Sequence, residues 1–247
     1  WRFKRDKREE ENRFEKEIDE TKQKFEDIYN YERLRLQELA PDPASVARRI
    51  KLPSVEVWQR RFTAADFMAL HVGYGNYAWI PKNDLSTTQE PEKEVKDLLD
   101  SSQLRGVPMI ADLTDAGVIG IVGDREGALA LARSLVMQAV THCGPADLTL
   151  GVFFDRGKED EWSWTSWLPH TRQSGSSTGG RWISQDYEHS NAMLKNLQQS
   201  IDGLLTPGLM LVIDSEVLTE GRDAPARKLL GYGRGENPHL QSSRDKV

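Results

Sequence analysis

A glycine-bearing turn at residues 123–130 is the first place where the sequence could support chemistry. The turn reads Gly-Asp-Arg-Glu-Gly-Ala-Leu-Ala and joins a predicted strand, Val118 to Val122, to a predicted buried helix, Arg125 to His142. A strand, a turn and a helix in this order are the setting in which P-loops bind phosphate through backbone N–H groups at a helix N-terminus. The candidate nucleotide-binding residues of the turn are Gly123, Asp124, Arg125, Glu126, Gly127, Ala128 and Leu129.

The turn departs from the P-loop pattern at the positions that meet phosphate and metal. In the pattern G-x-x-x-x-G-K-[ST], counted from Gly123, the second glycine falls on Ala128, the lysine on Leu129 and the hydroxyl on Ala130. The lysine that contacts the β- and γ-phosphates and the hydroxyl that holds Mg²⁺ are therefore missing. Arg125 could supply a charge from within the turn. An ordinary glycine-containing turn is the favoured alternative, because partial glycine patterns often match by chance.

A second candidate site follows the apolar run Leu209 to Ile213. Asp214 ends this run as the Mg²⁺-binding carboxylate ends a Walker B strand, so it is a candidate ligand for Mg²⁺ and nucleotide. Active enzymes of this type commonly place a Glu directly after that Asp. Here Ser215 intervenes, and Glu216 points to the opposite side of an extended chain. Asp214 and Glu216 are thus candidate catalytic residues. The alternative for Asp214 is that it has no catalytic role and only ends the strand, since a polar residue must end any buried strand.

Three tryptophans occur within six residues, at Trp162, Trp164 and Trp167. Such density favours either a packing plug over the sheet edge or an exposed interface with a partner, because a buried indole brings large area and needs a partner for its N–H group. Packing is the favoured alternative, since tryptophan is highly buried on average.

Alternating strands and helices are predicted beyond Pro108. The predicted strands are 109–113, 118–122, 148–154 and 209–213, and the predicted helices are 125–142 and 187–205. Buried strands that alternate with helices indicate an α/β fold with a mostly parallel sheet covered on both faces. Ligands of such folds bind at the carboxyl edge of the sheet, where both candidate sites lie.

The first forty residues differ from the rest. They begin WRFKRDKR, which is typical of the cytoplasmic exit of a transmembrane helix, although a solvated basic helix start is an equal alternative. Strong helix formers then continue to Leu39 without Pro or Gly, and Pro41 and Pro43 end the helix. A narrow apolar seam runs along it through Phe14, Ile18, Thr21, Phe25 and Ile28. We therefore divide the chain into a juxtamembrane helical stalk, 1–52, and a degenerate ATPase-like domain, 53–247.

Composition excludes several classes of protein. The 247 residues carry 33 Lys and Arg against 39 Asp and Glu, a formal charge of −6, which disfavours a domain that coats nucleic acid. The single cysteine, Cys143, excludes an intramolecular disulfide framework. The five histidines are dispersed without metal-ligand spacing.

The string Trp162-x-Trp164-x-x-Trp167-Leu-Pro-His170 is the most specific of several that this sequence shares with one family. Others are Val57-Trp58-Gln-Arg60-Arg61, Leu70-His-Val-Gly73-Tyr-Gly75 and Gly117-Val-Ile-Gly-Ile-Val-Gly123-Asp-Arg125. Through these residues nearly the whole chain resembles the membrane-proximal part of the EccC family, the FtsK/SpoIIIE-type ATPases of type VII (ESX) secretion.

The resemblance implies a P-loop NTPase-like (RecA-like) fold with a degenerate site for ATP and Mg²⁺. It implies a place at the cytoplasmic face of the bacterial inner membrane, anchored by preceding transmembrane helices and followed by further ATPase domains. It also implies contact with EccB, EccE and the ubiquitin-like domain of EccD, indirect work on WXG100-type cargo, and a possible hexamer.

Three functions are open at this point. The leading hypothesis is a degenerate nucleotide-binding module that couples the membrane complex to downstream motors, with weak or absent ATP hydrolysis of its own. The second is a genuine, non-standard ATPase that uses Asp214 and the Gly123–Gly127 turn. The third is a DNA translocase fragment, against which the net charge counts.

Overall fold

The computed structural model describes residues 2–52, 55–79, 103–173, 179–200, 208–220 and 224–229. The chain forms two compact units. One comprises Trp1–Pro41 with Gly73–Met109, and the other Asp42–Val72 with Ile110–Val247. The division into a stalk and a domain at residue 52 stays a prediction.

The first unit is built on a long helix, α1 (Arg2–Leu39), of 38 residues. Strand β1 (Ala69–Ala78) pairs with β2 (Gln103–Asp112) in a two-stranded sheet. Within this unit Phe25 and Tyr29 of α1 pack on the ring of Trp79, with ring centroids 5.7 and 5.9 Å apart. The Tyr29 hydroxyl accepts a hydrogen bond from the backbone N–H of Arg105 at 3.3 Å. No helix in the described part of the chain is both long and apolar enough to cross a membrane.

The second unit contains residues 69–72 of β1, residues 110–112 of β2 and the remaining elements. Its helices are α2 (Pro43–Lys51), α3 (Leu113–Ala116), α4 (Arg125–His142), α5 (Glu159–Trp162), α6 (Tyr187–Ser200) and α7 (Pro225–Leu229). Two 3₁₀ turns, Ser163–Trp167 and Pro169–Thr171, follow α5. Its strands are β3 (Leu148–Phe154), β4 (Ile183–Ser184) and β5 (Gly208–Asp214), which form a parallel sheet in the order β4-β3-β5.

The central strand, β3, is buried along its whole length and packs helices on both faces. Its residues Leu150 and Val152 share a core cluster with Val136 of α4, whereas Phe153, which points to the other face, packs with Leu194 of α6. The predicted α/β class with a parallel sheet and a preceding long helix is thus confirmed, and the arrangement is compatible with a P-loop NTPase-like fold.

The predicted strand Val118–Val122 is wrong. Gly117 ends the short helix α3 at a φ of 67°, and the chain then runs to Asp124 without joining the described sheet. Ile121 packs against the core, but Val122 is 98% exposed. Ile121 is therefore packed without strand pairing, whereas Val118 is also exposed, at 50%, and Gly120 lowers the strand propensity of the run.

Other element boundaries differ slightly from prediction. The strand predicted at 109–113 ends at Asp112, one residue before α3 begins, and it starts earlier, at Gln103. Helix α6 is described to Ser200, and the rest of the predicted 187–205 helix lies outside the described residues.

Candidate functional site

Asp214 ends β5 at the carboxyl edge of the sheet, in register with Phe154 at the end of β3. Three side chains from other segments donate hydrogen bonds to its carboxylate. Arg125 donates from Nη1 to Oδ1 at 2.9 Å and from Nη2 to Oδ2 at 2.6 Å. Lys158 Nζ lies 3.0 Å from Oδ1, and Trp162 Nε1 donates to Oδ2 at 2.8 Å. Both carboxylate oxygens are therefore occupied by donors of the chain itself.

Glu161 extends this group. Its carboxylate forms an ion pair with Arg125, which thus lies between two acidic side chains. Its backbone carbonyl accepts hydrogen bonds from Arg133 of α4, at 3.0 Å from Nε and 2.6 Å from Nη2. We call Asp214, Arg125, Lys158, Glu161 and Trp162 the Asp214 cluster. It ties the start of α4, the segment after β3 and the end of β5 together.

The charges of the Asp214 cluster stabilise one another. Burial by itself raises the pKa of Asp214, but hydrogen bonds from Arg125, Trp162 and Lys158 outweigh it and hold the pKa well below its ordinary value. Hydrogen bonds to Asp214 and Glu161 raise the pKa of Arg125. Burial lowers the pKa of Lys158, but its bonds to Asp214 and Asp155 leave the net shift upward. The carboxylate of Asp214 therefore stays ionised and paired with cations at neutral pH.

The turn that resembles a P-loop has a different local structure. Helix α4 already begins at Arg125, so Glu126, Gly127, Ala128 and Leu129 form its first turns and do not wrap a phosphate as a loop would. Asp124 is the N-cap, and its Oδ1 accepts the Gly127 N–H at 2.8 Å.

The charge at this end of α4 also opposes phosphate. The N-terminus of a helix attracts anions. Here Asp124 and Glu126 place two carboxylates in that region, and the Asp124 carboxylate takes one of the free N–H groups. Gly123 precedes the cap and is exposed. Arg125 points its guanidinium to Asp214 and Glu161.

The cluster as arranged does not fit a Mg²⁺ ion. Magnesium takes about six oxygen ligands in near-octahedral geometry, whereas the oxygens of Asp214 face two cations and an indole N–H. Ser215 is buried, and its Oγ accepts the Leu218 N–H at 3.3 Å. Glu216 is exposed and stands outside the cluster. Among the described residues no group of three or more His, Cys, Asp or Glu side chains could hold a metal ion.

The three tryptophans occupy three different environments. Trp162 is 1% exposed and belongs to the core that β3 shares with α4. Trp164 is half-buried and donates its Nε1–H to the Glu161 carbonyl at 3.0 Å. Trp167 is 87% exposed. The sequence left open whether these tryptophans pack in the core or form an exposed interface. Trp162 packs in the core, and an interface at Trp167 stays a prediction.

Two residues of the cluster, Lys158 and Glu161, were not singled out in the sequence. Lys158 follows the end of β3 by four residues, at the same carboxyl edge as Asp214. A charged residue four residues after a buried strand was the feature of the sequence that could have indicated Lys158 as a site residue. The pairing itself depends on β3 lying beside β5, which the sequence pattern does not specify.

The opposite end of α4 is closed by other residues that carry the resemblance. The Trp58 backbone N–H donates to the Thr141 carbonyl at 2.8 Å, and its Nε1–H donates to the Val140 carbonyl at 3.0 Å. The Arg60 N–H donates to the His142 carbonyl at 2.9 Å. His170 contacts the Cys143 carbonyl through Nε2 at 2.8 Å. These groups satisfy carbonyls that a helix C-terminus leaves free.

The chain is similar in sequence to several curated proteins. It is 31% identical over 143 residues to the ESX-4 secretion system protein EccC4 of Mycobacterium tuberculosis, covering 53% of this chain and 11% of that protein. It is 28% identical over 131 residues to the ESX secretion system protein EccC of Thermomonospora curvata, covering 48% and 10%. It is 30% identical over 139 residues to the ESX-3 secretion system protein EccC3 of M. tuberculosis, covering 53% and 10%. The matched part spans about a tenth of the length of these relatives. No protein-family model matches the chain.

Proposed function

Because this chain belongs to the EccC family, we propose that it serves as a component of a type VII (ESX) secretion ATPase. Within that assembly it acts as a coupling module, which transmits movement between an inner-membrane complex and ATPase motors elsewhere in the machine. Its own ATP hydrolysis is weak or absent.

The Asp214 cluster is the observation that carries this proposal. Arg125 and Lys158 occupy the carboxylate that a motor of this fold would use for Mg²⁺. Leu129 and Ala130 stand where such a motor has lysine and a hydroxyl. A site without those groups, and with its acidic residue held by cations, lacks the electrostatic stabilisation on which phosphoryl transfer depends.

The same cluster suits a module that transmits force. It joins three segments that enter the carboxyl edge of the sheet separately: the start of α4, the end of β5 and the segment that leads from β3 into α5. A rigid connection between separate elements is what a coupling module needs, since movement of one element is then passed to the others.

Location and partners follow from the family as further parts of the proposal. The charged helix α1 is the stalk that leads from the cytoplasmic face of the bacterial inner membrane. EccB, EccE and the ubiquitin-like domain of EccD are the neighbouring components, WXG100-type proteins are the cargo served indirectly, and the working form is a hexamer.

Calorimetric titration of the whole chain with ATP and Mg²⁺, together with an ATPase assay, tests the proposal. Asp214→Ala is the informative variant, and Asp186→Ala, in an exposed ion pair with Arg156, is its matched control. We expect little or no hydrolysis by all three proteins. Robust Mg²⁺-dependent hydrolysis that Asp214→Ala abolishes and Asp186→Ala retains would overturn it.

A genuine but non-standard ATPase is the second candidate. It is favoured by one observation: Lys158 reaches the carboxyl edge beside Asp214 and could replace the missing P-loop lysine once it leaves the carboxylate. This function requires saturable binding of ATP that Lys158→Ala weakens. If nucleotide neither binds at millimolar concentration nor shifts the melting temperature, this candidate is eliminated.

A further inference from the structure

Two arginines lie directly opposite each other just before β4. Arg172 and Arg181 form a single antiparallel bridge. The backbone hydrogen bonds on either side of it, of 2.7 and 2.9 Å, join the chain neighbours of the two arginines. Arg172 and Arg181 are therefore a non-hydrogen-bonded pair, the arrangement in which opposite side chains come closest. Like charges directly opposite each other destabilise such a pair.

No carboxylate of the described residues offsets this repulsion. Arg172 is exposed, and its guanidinium forms no hydrogen bond or ion pair with the part of the chain that the structure describes. Arg181 is half-buried, and its Nη1 donates to two uncharged acceptors, the Leu168 carbonyl at 3.1 Å and Thr171 Oγ1 at 2.9 Å. The sequence from Trp162 to Gln185 contains no Asp or Glu, although the whole chain has a net charge of −6. The two arginines thus offer a local positive surface to an anionic group.

An exposed indole adjoins this positive surface. Trp167 is 87% exposed, and it directly precedes Leu168, whose carbonyl accepts the hydrogen bond from Arg181. Such exposure is unusual for tryptophan, which is highly buried on average. Tryptophan and arginine are among the side chains enriched where protein interfaces gain most of their binding energy. An apolar ring beside two cations therefore fits a partner that carries both acidic and apolar side chains.

The segments that display the indole and the arginines are firmly held. Thr165 and Thr171, which lie on either side of Trp167 in the chain, are both 0% exposed. Their hydroxyls donate to backbone carbonyls three residues earlier, at 2.7 and 2.9 Å. The carbonyl of Trp182, next to Arg181, accepts a backbone hydrogen bond of 2.8 Å from the central strand β3. A partner would therefore bind to a surface that is already ordered, which lowers the entropic cost of binding.

We propose that Trp167, Arg172 and Arg181 form a docking surface for an acidic segment of a partner protein. Carboxylates of that segment pair with the guanidiniums, which suit them because arginine can bind a carboxylate through two parallel hydrogen bonds. An apolar side chain of the same segment covers the indole. Charge complementarity selects this class of partner, since a small inorganic anion would use the arginines and leave the indole in water. The proposal does not depend on the family assignment or on the Asp214 cluster.

Calorimetric titration of the whole chain with short capped peptides tests the proposal. The probe is Glu-Glu-Leu-Leu-Glu-Glu, and two control peptides replace either its Glu residues by Gln or its Leu residues by Ser. We expect the probe to bind with a Kd below about 1 mM and each control peptide to bind more weakly. Binding of the probe should also weaken as the salt concentration rises from about 0.05 to about 0.5 M, because exposed charges are screened. Absence of saturable binding at about 1 mM probe would overturn the proposal.

Variants of the chain separate the arginines from the indole. Arg172→Glu should weaken binding of the probe about fivefold or more. Arg33→Glu, at an exposed position of α1, makes the same change in net charge and should bind the probe as the wild type does. Trp167→Ala should weaken the probe by a similar factor and should no longer distinguish it from the Ser-containing peptide. Equal losses in the two arginine variants, or full affinity in Trp167→Ala, would contradict the proposal.

Two further measurements test other occupants of the same surface. If inorganic phosphate displaces the probe at an equal concentration, the arginines are a simple anion site and the proposal is wrong. If the chain alone forms a dimer in sedimentation experiments and Trp167→Ala dissociates it, a second copy occupies the surface, which also overturns the proposal. Circular dichroism verifies that each variant is folded. The two control peptides test the same contacts on the unaltered chain, so the result does not depend on any variant.

Discussion

Arg125 and Asp214 are joined by two hydrogen bonds of 2.9 and 2.6 Å, although 89 residues separate them in the sequence. The Asp214 side chain is 16% exposed, whereas that of Arg125 is 48% exposed. The Asp214 carboxylate is thus the more buried member of the pair, and the Arg125 guanidinium is the more exposed one. A buried charge depends on its partners more than an exposed one does, because water cannot replace them.

Removal of the Asp214 carboxylate should destabilise the protein. Asp214→Ala leaves the Trp162 N–H without its acceptor and two cations close together, so we expect the free energy of unfolding to fall by about 1–3 kcal/mol. Arg156→Ala, which breaks an exposed ion pair with Asp186, should cost only about 0–1 kcal/mol. Urea denaturation of both variants measures the difference. Equal effects would mean that the cluster contributes no more than a surface pair.

The N-cap of α4 gives a second prediction. Asp124→Ala removes the acceptor of the Gly127 N–H and should lower stability by about 0.5–2 kcal/mol. Asp124→Asn keeps a side-chain oxygen in the same place and should cost much less. Thermal unfolding of the two variants distinguishes them. If Asn is as damaging as Ala, the charge of Asp124 and not its hydrogen bond is what stabilises the helix start.

Much of the second unit could be predicted because its apolar patterns are unambiguous. Leu148–Phe154 is a continuous apolar run bounded by polar residues, and the structure makes it the central strand. The run Val118–Val122 is also apolar but has no partner in the described sheet. The composition of such a segment shows that it can be buried on one face or on both. Whether it pairs with a neighbouring strand depends on the topology of the fold.

The start of α4 could also have been placed from the sequence. Asp124 is a preferred N-cap residue, and Glu126 in the first turn suits a helix N-terminus. The comparison with a P-loop instead drew attention to Gly123 and Gly127 as loop residues. The contacts of Asp214 were out of reach, because Lys158 and Trp162 meet it only through the register of β3 on β5.

The tryptophans should differ sharply in what their replacement costs. Trp162→Phe deletes a donor to the Asp214 carboxylate and leaves space in the core, so we expect a loss of about 1–3 kcal/mol in unfolding free energy. Trp167→Phe alters an exposed ring and should change stability by no more than about 0.5 kcal/mol. Chemical denaturation measures both. A large loss for Trp167→Phe would place that side chain in a packed environment.

Gly208 begins β5 where no side chain fits. A Cβ there would lie 2.7 Å from Phe67 Cζ and 2.8 Å from the Asp147 carbonyl oxygen. Gly208→Ala should therefore lower stability by about 1–3 kcal/mol through overpacking. Gly120→Ala is the control, since nothing lies within 4 Å of its would-be Cβ. Calorimetric melting of the two variants tests the prediction, and equal melting temperatures would contradict it.

His142 should make stability depend on acid. Burial, followed by the charges of Arg60 and Arg49, lowers the pKa of His142 from 6.5 to about 3. Below pH 6.5 the unfolded chain takes up a proton on this imidazole, whereas the folded chain does not until about pH 3. The contribution of His142 to stability is therefore fully present above pH 6.5 and falls as the pH decreases toward 3, by about 1.4 kcal/mol per pH unit.

The variant His142→Gln isolates this group from the other buried histidines. Its unfolding free energy, measured by urea titration between pH 7 and 4, should fall less steeply with decreasing pH than that of the wild type. The two slopes should differ by about 1.4 kcal/mol per pH unit, which corresponds to one proton. Burial also lowers the pKa of His71 and His170, so these two side chains contribute to the slope that remains in His142→Gln. An unchanged slope in His142→Gln would show that this imidazole is protonated in the folded protein, against the desolvation that its position in the core imposes.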